Sequence, residues 1–483
     1  MIEQADGRHL LFIVGNHRVL RIGAATAARL RDGLDALTEN EVRDWNALVT
    51  AGVIEAVNPI AAAAAHWSDG ANLAINVNLT AACNLDCSYC FADGGDYGRI
   101  KGRLQAETVP QIFDFVAAHL TPSRTVRFEF FGGEPLLNLE RIAEICDHAD
   151  RLRRASSIQS IFRISTNLTY LPPEALELLV ARRFIVSVSI DGGQRTHDRN
   201  RPTKTGQGSF SRILDNCRRL RAASDDVLLV ARMTVLGGEP TLLEDVRELW
   251  SYNLFDYFQI YPAVVPAEKL TRISRTRGAA SAHLSSGFMP QFLELVAAYP
   301  ELFRPDNRFR GVLEYERIAE LLLRGKIALA FCSGGRNYFT FSPDASIMPC
   351  HRLVGDTRFQ VGTAARGLVD EPVAWRLPVD ANPVCSRCWA RYVCGGGCKQ
   401  ENLVATGDLT APNPELCAYQ TRMLESVIQV IARGDEGYAE RSRDALDDLF
   451  VSCGRPVADA GRRHAGAVNN ATFELISKPE DES

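Results

Sequence analysis

Three cysteines, Cys83, Cys87 and Cys90, are spaced CxxxCxxC within TAACNLDCSYCFADGG, which puts three thiols on one short loop. Three thiolates so placed can hold three irons of a 4Fe–4S cluster and leave the fourth iron free for an outside ligand. Zinc is the other reading of the same donors, but it needs a fourth ligand close by and is more often served by paired CxxC spacing. Seven further cysteines lie between Cys332 and Cys417. Cys385, Cys388, Cys394 and Cys398 follow the pattern CxxCxxxxxCxxxC, with Cys332 and Cys350 before them and Cys417 after. The first pair of that run has zinc-ribbon spacing. Seven thiols exceed one tetrahedral site; they fit two sites, one complete and one short of a ligand.

The elements that must position these loops are legible as periodicity. LAINVNLT, VRFEFFGG, IFRISTN, IVSVSID, VLLVARMTV and YFQIYPAV read as strands separated by helical stretches such as LERIAEICDHADRL and GSFSRILDNCRRL. Near-continuous apolar strands alternating with helices predict a parallel sheet buried on both faces. Six such units make an α/β fold, a partial (β/α)6 barrel over residues 72–284. In barrels of this kind the site forms at the C-terminal ends of the strands, and the cysteine loop follows the first strand. Ahead of it, residues 1–68 carry two short strands, HLLFIVG and HRVLRIG, and two amphipathic helices, a winged-helix-like module, followed by the linker NPIAAAAAHWSDG. A helical connector is expected over 285–327, the cysteine-rich region over 328–432 with a helix near Arg422–Ala432, and a tail over 433–483 whose final SKPEDES reads as disordered.

Other strand ends carry polar motifs. Gly132, Gly133, Glu134 and Pro135 end the second strand, where glycine lets the backbone approach a ligand. Ser165–Asn167 ends the third and faces the expected pocket. Ser189 and Asp191 of SIDG end the fourth, with Arg201 in the HDRNR stretch that follows. A single GGEP or SIDG is usually just a turn; their order and shared placement at strand ends give them weight.

With these motifs the chain resembles the radical S-adenosylmethionine (SAM) superfamily, in which an aromatic residue, here Tyr89, precedes the last cysteine of the loop. The resemblance implies that Cys83, Cys87 and Cys90 hold a SAM-cleaving 4Fe–4S cluster. It further implies that the open iron binds the amino and carboxylate groups of SAM, and that one electron yields a 5'-deoxyadenosyl radical able to abstract a substrate hydrogen. By the same resemblance the Gly132–Gly133–Glu134 segment meets the methionyl amino group, Ser189 the ribose and Arg201 the carboxylate side. An electron donor such as flavodoxin or ferredoxin is implied as a partner.

The cysteine-rich region resembles the SPASM domain of peptide-modifying radical SAM enzymes, so that the likeness covers most of residues 72–420. It implies two auxiliary 4Fe–4S clusters, an outer one on Cys385, Cys388, Cys394 and Cys417 and an inner one on Cys332, Cys350 and Cys398. Two positions depart from the family. PDASIMPC has Ala345 where glycine is frequent, and His351 stands where anaerobic sulfatase-maturating enzymes place a catalytic aspartate, which argues against formylglycine formation. The N-terminal module resembles the elements that capture leader peptides of ribosomally made precursors by adding them as a strand. CFADGGDYG looks like the segment of maturases that form thioethers, including those acting on the small subunit of quinohemoprotein amine dehydrogenase. The expected activity is therefore modification of a precursor peptide or small protein, with a thioether crosslink as the leading product. Carbon–carbon or aryl crosslinking, or action on a small molecule, are the alternatives.

Composition is ordinary for a soluble globular protein. The net charge is −5 with scattered Lys and Arg, which argues against nucleic acid or an anionic membrane as partner. An acidic start with a five-residue apolar run lacks the signature of a signal peptide, so a cytoplasmic location is expected, where thiols serve metals rather than disulfides. Cys146 and Cys217 fall on apolar helix faces and read as core; Cys453 has no motif around it. Arg127, Arg163 and Arg232 stand in strands at positions that could point into the barrel or be solvated at its ends.

Overall fold

A computed structural model describes residues 1–4, 7–54, 72–97, 100–119, 125–236, 241–263, 287–302, 306–323, 325–432, 457–459 and 473–475. The linker at 58–70, Cys453 and the closing SKPEDES fall outside the described residues.

The N-terminal module is an antiparallel meander of β1 (Ile2–Glu3), β2 (His9–Ile13) and β3 (Arg18–Ile22), followed by α1 (Ala24–Asp32) and α2 (Glu39–Thr50). A capping box starts α2: Glu41 N donates to Thr38 Oγ1, and the Glu41 carboxylate accepts from Thr38 N at 2.8 Å. Glu41 also takes bonds from Arg29 and from Thr26 Oγ1 at 2.6 Å, which ties the two helices together. Leu20 and Ile22 of β3 pack with Ala27, Leu48 and Val53 in a small core of their own. Leu10, Phe12 and Val19 turn the other way into the main core, and His17 Nδ1 lies 3.2 Å from Leu321 O. One sheet thus serves both its own helices and the body of the protein.

Six parallel strands form the barrel sheet in sequence order: β4 (Leu73–Asn78), β5 (Thr125–Phe131), β6 (Gln159–Thr166), β7 (Ile185–Ser189), β8 (Leu228–Val235) and β9 (Tyr257–Pro262). Two-residue β10 (Gly311–Val312) extends the β9 edge in parallel. At the other edge β12 (Tyr338–Phe341) runs parallel to β4 and continues antiparallel into β13 (Ser346–Met348), β14 (Gly362–Thr363) and β15 (Gly367–Leu368). The cysteine-rich region therefore shares one eleven-stranded sheet with the barrel.

Alternation within the strands sets the two faces apart. Val126, Phe128 and Phe130 of β5 join the apolar core, while register aligns Thr340, Asn76, Glu129 and Arg163 across four neighbouring strands. Both faces are shielded, as the pattern predicts, but the lumen face is polar. Cys146 and Cys217 are fully buried in the main core. Helices Met289–Ala298 and Leu313–Leu323 occupy the expected connector, and a helix over Pro414–Ala432 begins earlier than the sequence pattern suggested.

The tail adds two short strands. Val457–Asp459 forms β16, antiparallel to β11 (Lys326–Ala328), and Phe473–Leu475 forms β17, antiparallel to β3. Strands of three residues carry too little alternation to be seen in sequence; their partners are what make them strands.

Candidate active site: a cysteine loop over a polar barrel

The cysteine loop leaves β4 and is pinned by backbone. Gly133 N donates to Thr80 O and Glu134 N to Ala82 O, both at 2.8 Å. A Cβ on Gly133 would sit 2.1 Å from Ala82 O, and one on Gly132, whose φ is +137°, would sit 2.7 Å from Thr80 O. The glycines of GGEP thus admit the cysteine loop itself, where the sequence suggested approach of a ligand. Glu134 is buried, and its carboxylate accepts from Asn167 N at 2.7 Å, Thr166 Oγ1 at 2.5 Å and Leu136 N at 3.2 Å. Burial pushes its pKa up to about 7 against those three bonds. Asn167 in turn donates from Nδ2 to Cys83 Sγ at 3.7 Å and to Asn84 Oδ1 at 2.8 Å. GGEP and STN are therefore one bonded unit behind the loop, and the Glu134 side chain is spent within it.

Tyr89, Asp191 and Arg201 form a second buried unit. The Tyr89 hydroxyl donates to Asp191 Oδ2; Arg201 Nη2 lies 2.9 Å from Asp191 Oδ1; and the guanidinium carbon stands 5.2 Å from the centre of the Tyr89 ring. Asp191 Oδ1 also accepts from Thr234 N at 2.9 Å. Arg201 Nη1 reaches Cys87 Sγ at 4.0 Å. Burial opposes its charge, but Asp191, Tyr89 and Cys87 hold the guanidinium protonated. Its charge is thus matched within the protein, beside the loop. Ser189, at the end of β7, is half-buried.

The donor set suits an iron–sulfur cluster. Cys83, Cys87 and Cys90 are half-buried thiols in no disulfide that influence one another electrostatically, and N–H groups point at sulfur, including Gly94 N to Cys90 Sγ at 3.4 Å. Burial raises Cys83 to about 11 and Cys87 to about 12, so the metal-free thiols stay protonated and a bound metal would displace their protons. Among the described residues no three His, Cys, Asp or Glu side chains converge on a single-ion site.

Folding sorts the seven remaining cysteines. Burial lifts Cys394 to about 12 and Cys385 to about 11, with Cys417 adding to both, and Cys388 adds to Cys385 and to Cys417. Separately, burial lifts Cys350 to about 11, with Cys332 adding, and Cys398 is raised by burial with Cys350 and Cys332 among its neighbours. Four thiols gather in one place and three in another. Arg352 lies between the three and the first loop: its amide donates to Cys350 Sγ at 3.4 Å, it pairs with Glu401 at 2.7 Å, and its guanidinium stands 5.6 Å from the Phe91 ring centre.

The lumen holds arginines for which the sequence allows either a barrel-facing or a solvated position. Arg163 donates to Ser187 Oγ at 3.1 Å and Gln259 Oε1 at 3.4 Å, and Arg232 to Ser165 Oγ at 3.4 Å. Burial lowers the pKa of Arg232, and no acid lies within ion-pair distance of either arginine among the described residues. Arg127 instead pairs with Glu129 at 2.7 Å. His351 packs between Phe91 and Phe131, with Nδ1 2.8 Å from Tyr338 Oη; burial, with Arg232 and Arg352 nearby, lowers its pKa to about 3. Tyr338 gave no signal in sequence, being one more aromatic in a strand.

Residues 77–249 match the radical SAM superfamily. The Cys-type anaerobic sulfatase-maturating enzyme of Clostridium perfringens strain ATCC 13124 is 22% identical over 335 residues, covering 66% of this chain and 86% of that enzyme. Its Clostridium novyi counterpart is 23% identical over 293 residues, covering 58% and 73%. In structure, native anSMEcpe with bound AdoMet aligns at a TM-score of 0.59 with 20% identity, over 74% of this chain and 99% of that one. Streptococcus suis SuiB bound to precursor peptide SuiA aligns at 0.51 with 13% identity, over 86% and 100%. The chain carries a radical SAM domain and uses SAM with iron–sulfur chemistry. With that domain it is a radical SAM enzyme, similar in sequence and fold to peptide-modifying maturases.

Proposed function

We propose that the protein modifies a ribosomally made peptide or small protein, with three 4Fe–4S clusters held by Cys83, Cys87 and Cys90, by Cys385, Cys388, Cys394 and Cys417, and by Cys332, Cys350 and Cys398. The observation that carries the reading is the partition of seven cysteines into four and three, with the set of three next to the lumen through Cys350 and His351. When bound, the first cluster and SAM supply hydrogen abstraction. The protein's own residues orient: the Tyr89–Asp191–Arg201 unit and the GGEP–STN unit fix the loop. Arg163 and Arg232, bonded only to neutral partners, can receive a carboxylate of SAM or of the substrate.

The leading product is a thioether, because a set of three thiolates leaves one iron able to take the substrate sulfur. Formylglycine formation is disfavoured by His351, a neutral imidazole bonded to Tyr338, at the position of the maturase aspartate. Anaerobic reconstitution tests the cluster reading. About twelve irons per chain, falling to about eight with loss of 5'-deoxyadenosine when Cys83, Cys87 and Cys90 become alanine, is the expected result. About four irons with zinc in the C-terminal region would overturn it. For the product, mass spectrometry of the modified peptide should show loss of two hydrogens and of one free thiol.

A further inference from the structure

Alternation along β2 sends Leu11 and Ile13 into the module's own small core and Leu10, Phe12 and Val14, the last just past the strand's end, into the body of the protein. The part of the body they meet carries the set of four thiols. Val14 packs against a small core of Ile327, Leu329, Val379, Cys385 and Tyr392. The Phe12 ring meets Trp389, the residue after Cys388, edge-on, with 6.0 Å between ring centres and 77° between planes. Cys388 N donates to Cys385 O at 2.9 Å, so the two cysteines share one turn. Phe12 is itself held by His17, stacked at 5.5 Å, whose Nδ1 lies 3.2 Å from Leu321 O. Arg21 Nη2 adds a bond of 3.0 Å to the carbonyl of Ala432, the last residue of the helix that carries Cys417.

The other cysteines are walled differently. The apolar cluster around Cys332 and Cys350 draws none of its members from residues 1–54. The bonds that pin the loop of Cys83, Cys87 and Cys90 come from GGEP, STN and Arg201. The potential of an iron–sulfur cluster depends on its exposure to solvent, and the shell behind metal ligands sets how firmly the metal is held. Reduction adds a negative charge to a thiolate-bound cluster, and water stabilises that charge, so opening an apolar wall raises the potential.

We infer that the N-terminal module forms part of the outer cluster's site, with Phe12 and Val14 as positioning residues that fix the Cys385–Cys388 turn and keep water from the cluster it holds. The inference rests on the three-cluster reading above and gives the module a role at one cluster, independent of any peptide it binds.

The test uses the reconstituted full chain and its Phe12→Leu, Val14→Ala and Trp389→Phe variants, which reach the contact from both sides. Circular dichroism and 5'-deoxyadenosine formation identify the folded ones. About four irons per chain should pass to a chelator roughly tenfold faster than in the parent. In a redox titration followed by electron paramagnetic resonance, the signal that Cys388→Ala removes should rise in midpoint while the other two stay in place. Val42→Ala, on the exposed side of α2, should change neither readout. Folded variants with the parent's release rate and midpoints, all clusters shifting together, or the same acceleration in Val42→Ala would each overturn the inference. Failure of the three-cluster reading shows in the parent alone, as about four irons with zinc in the C-terminal region, and takes this inference with it.

Discussion

Arg201 lies 2.9 Å from Asp191, with both side chains almost fully buried, and the pair is closed over by the Tyr89 ring and hydroxyl. It joins the cysteine loop to the ends of β7 and β8, since Arg201 also reaches Cys87 and Asp191 accepts from Thr234 N.

Breaking that pair from one side leaves a buried guanidinium unmatched. Asp191→Asn should cost about 3–5 kcal/mol of stability, and the double change Asp191→Asn with Arg201→Met should cost less than the single one. Denaturant unfolding of the three proteins checks the order; a double variant less stable than Asp191→Asn contradicts it.

At Gly133 an added methyl meets backbone, the carbonyl of Ala82 at 2.1 Å, so nothing flexible can give way. Gly133→Ala should displace the cysteine loop and lower bound iron by about four per chain while the seven C-terminal thiols keep theirs. Iron and sulfide counts on the reconstituted variant decide this; a full complement with normal 5'-deoxyadenosine yield would show the contact to be dispensable.

His197 accepts from Asp191 N through Nδ1 at 3.3 Å and meets Ser209 Oγ through Nε2 at 2.9 Å, a neutral arrangement that burial favours by lowering its pKa to about 4. The unfolded chain, with an ordinary histidine near 6.5, binds the extra proton first. Stability should therefore fall as pH drops from about 6.5 to 4, by up to about 3 kcal/mol from this group. His197→Asn, whose amide oxygen can replace the Nδ1 acceptor, should flatten the thermal midpoint over that range relative to the parent; an unchanged slope would assign it to other groups.

Ala345 turns the β12–β13 hairpin with φ of +63°. The glycine frequent at this place in SPASM domains has no Cβ to resist that conformation, so Ala345→Gly should raise stability by roughly 0.5–1 kcal/mol. Thermal unfolding measures it, and a destabilised variant would mean that the Ala345 methyl, packed against the core, outweighs the backbone.

Much of this architecture was legible in the chain. Cys83, Cys87 and Cys90 share a loop because only six residues lie between first and last, and the six strands announced themselves by runs of apolar residues between helices. Such signals are local: spacing and periodicity survive in sequence because the residues that make them are neighbours in the chain. Which thiols gather as four and which as three, that Gly133 admits a backbone carbonyl, that Asp191 matches Arg201, and that Phe473–Leu475 finds β3 more than 450 residues away were decided by tertiary structure. Each depends on a contact between distant segments, where burial makes one partner the cheapest place for a charge, a donor or a strand edge to be satisfied.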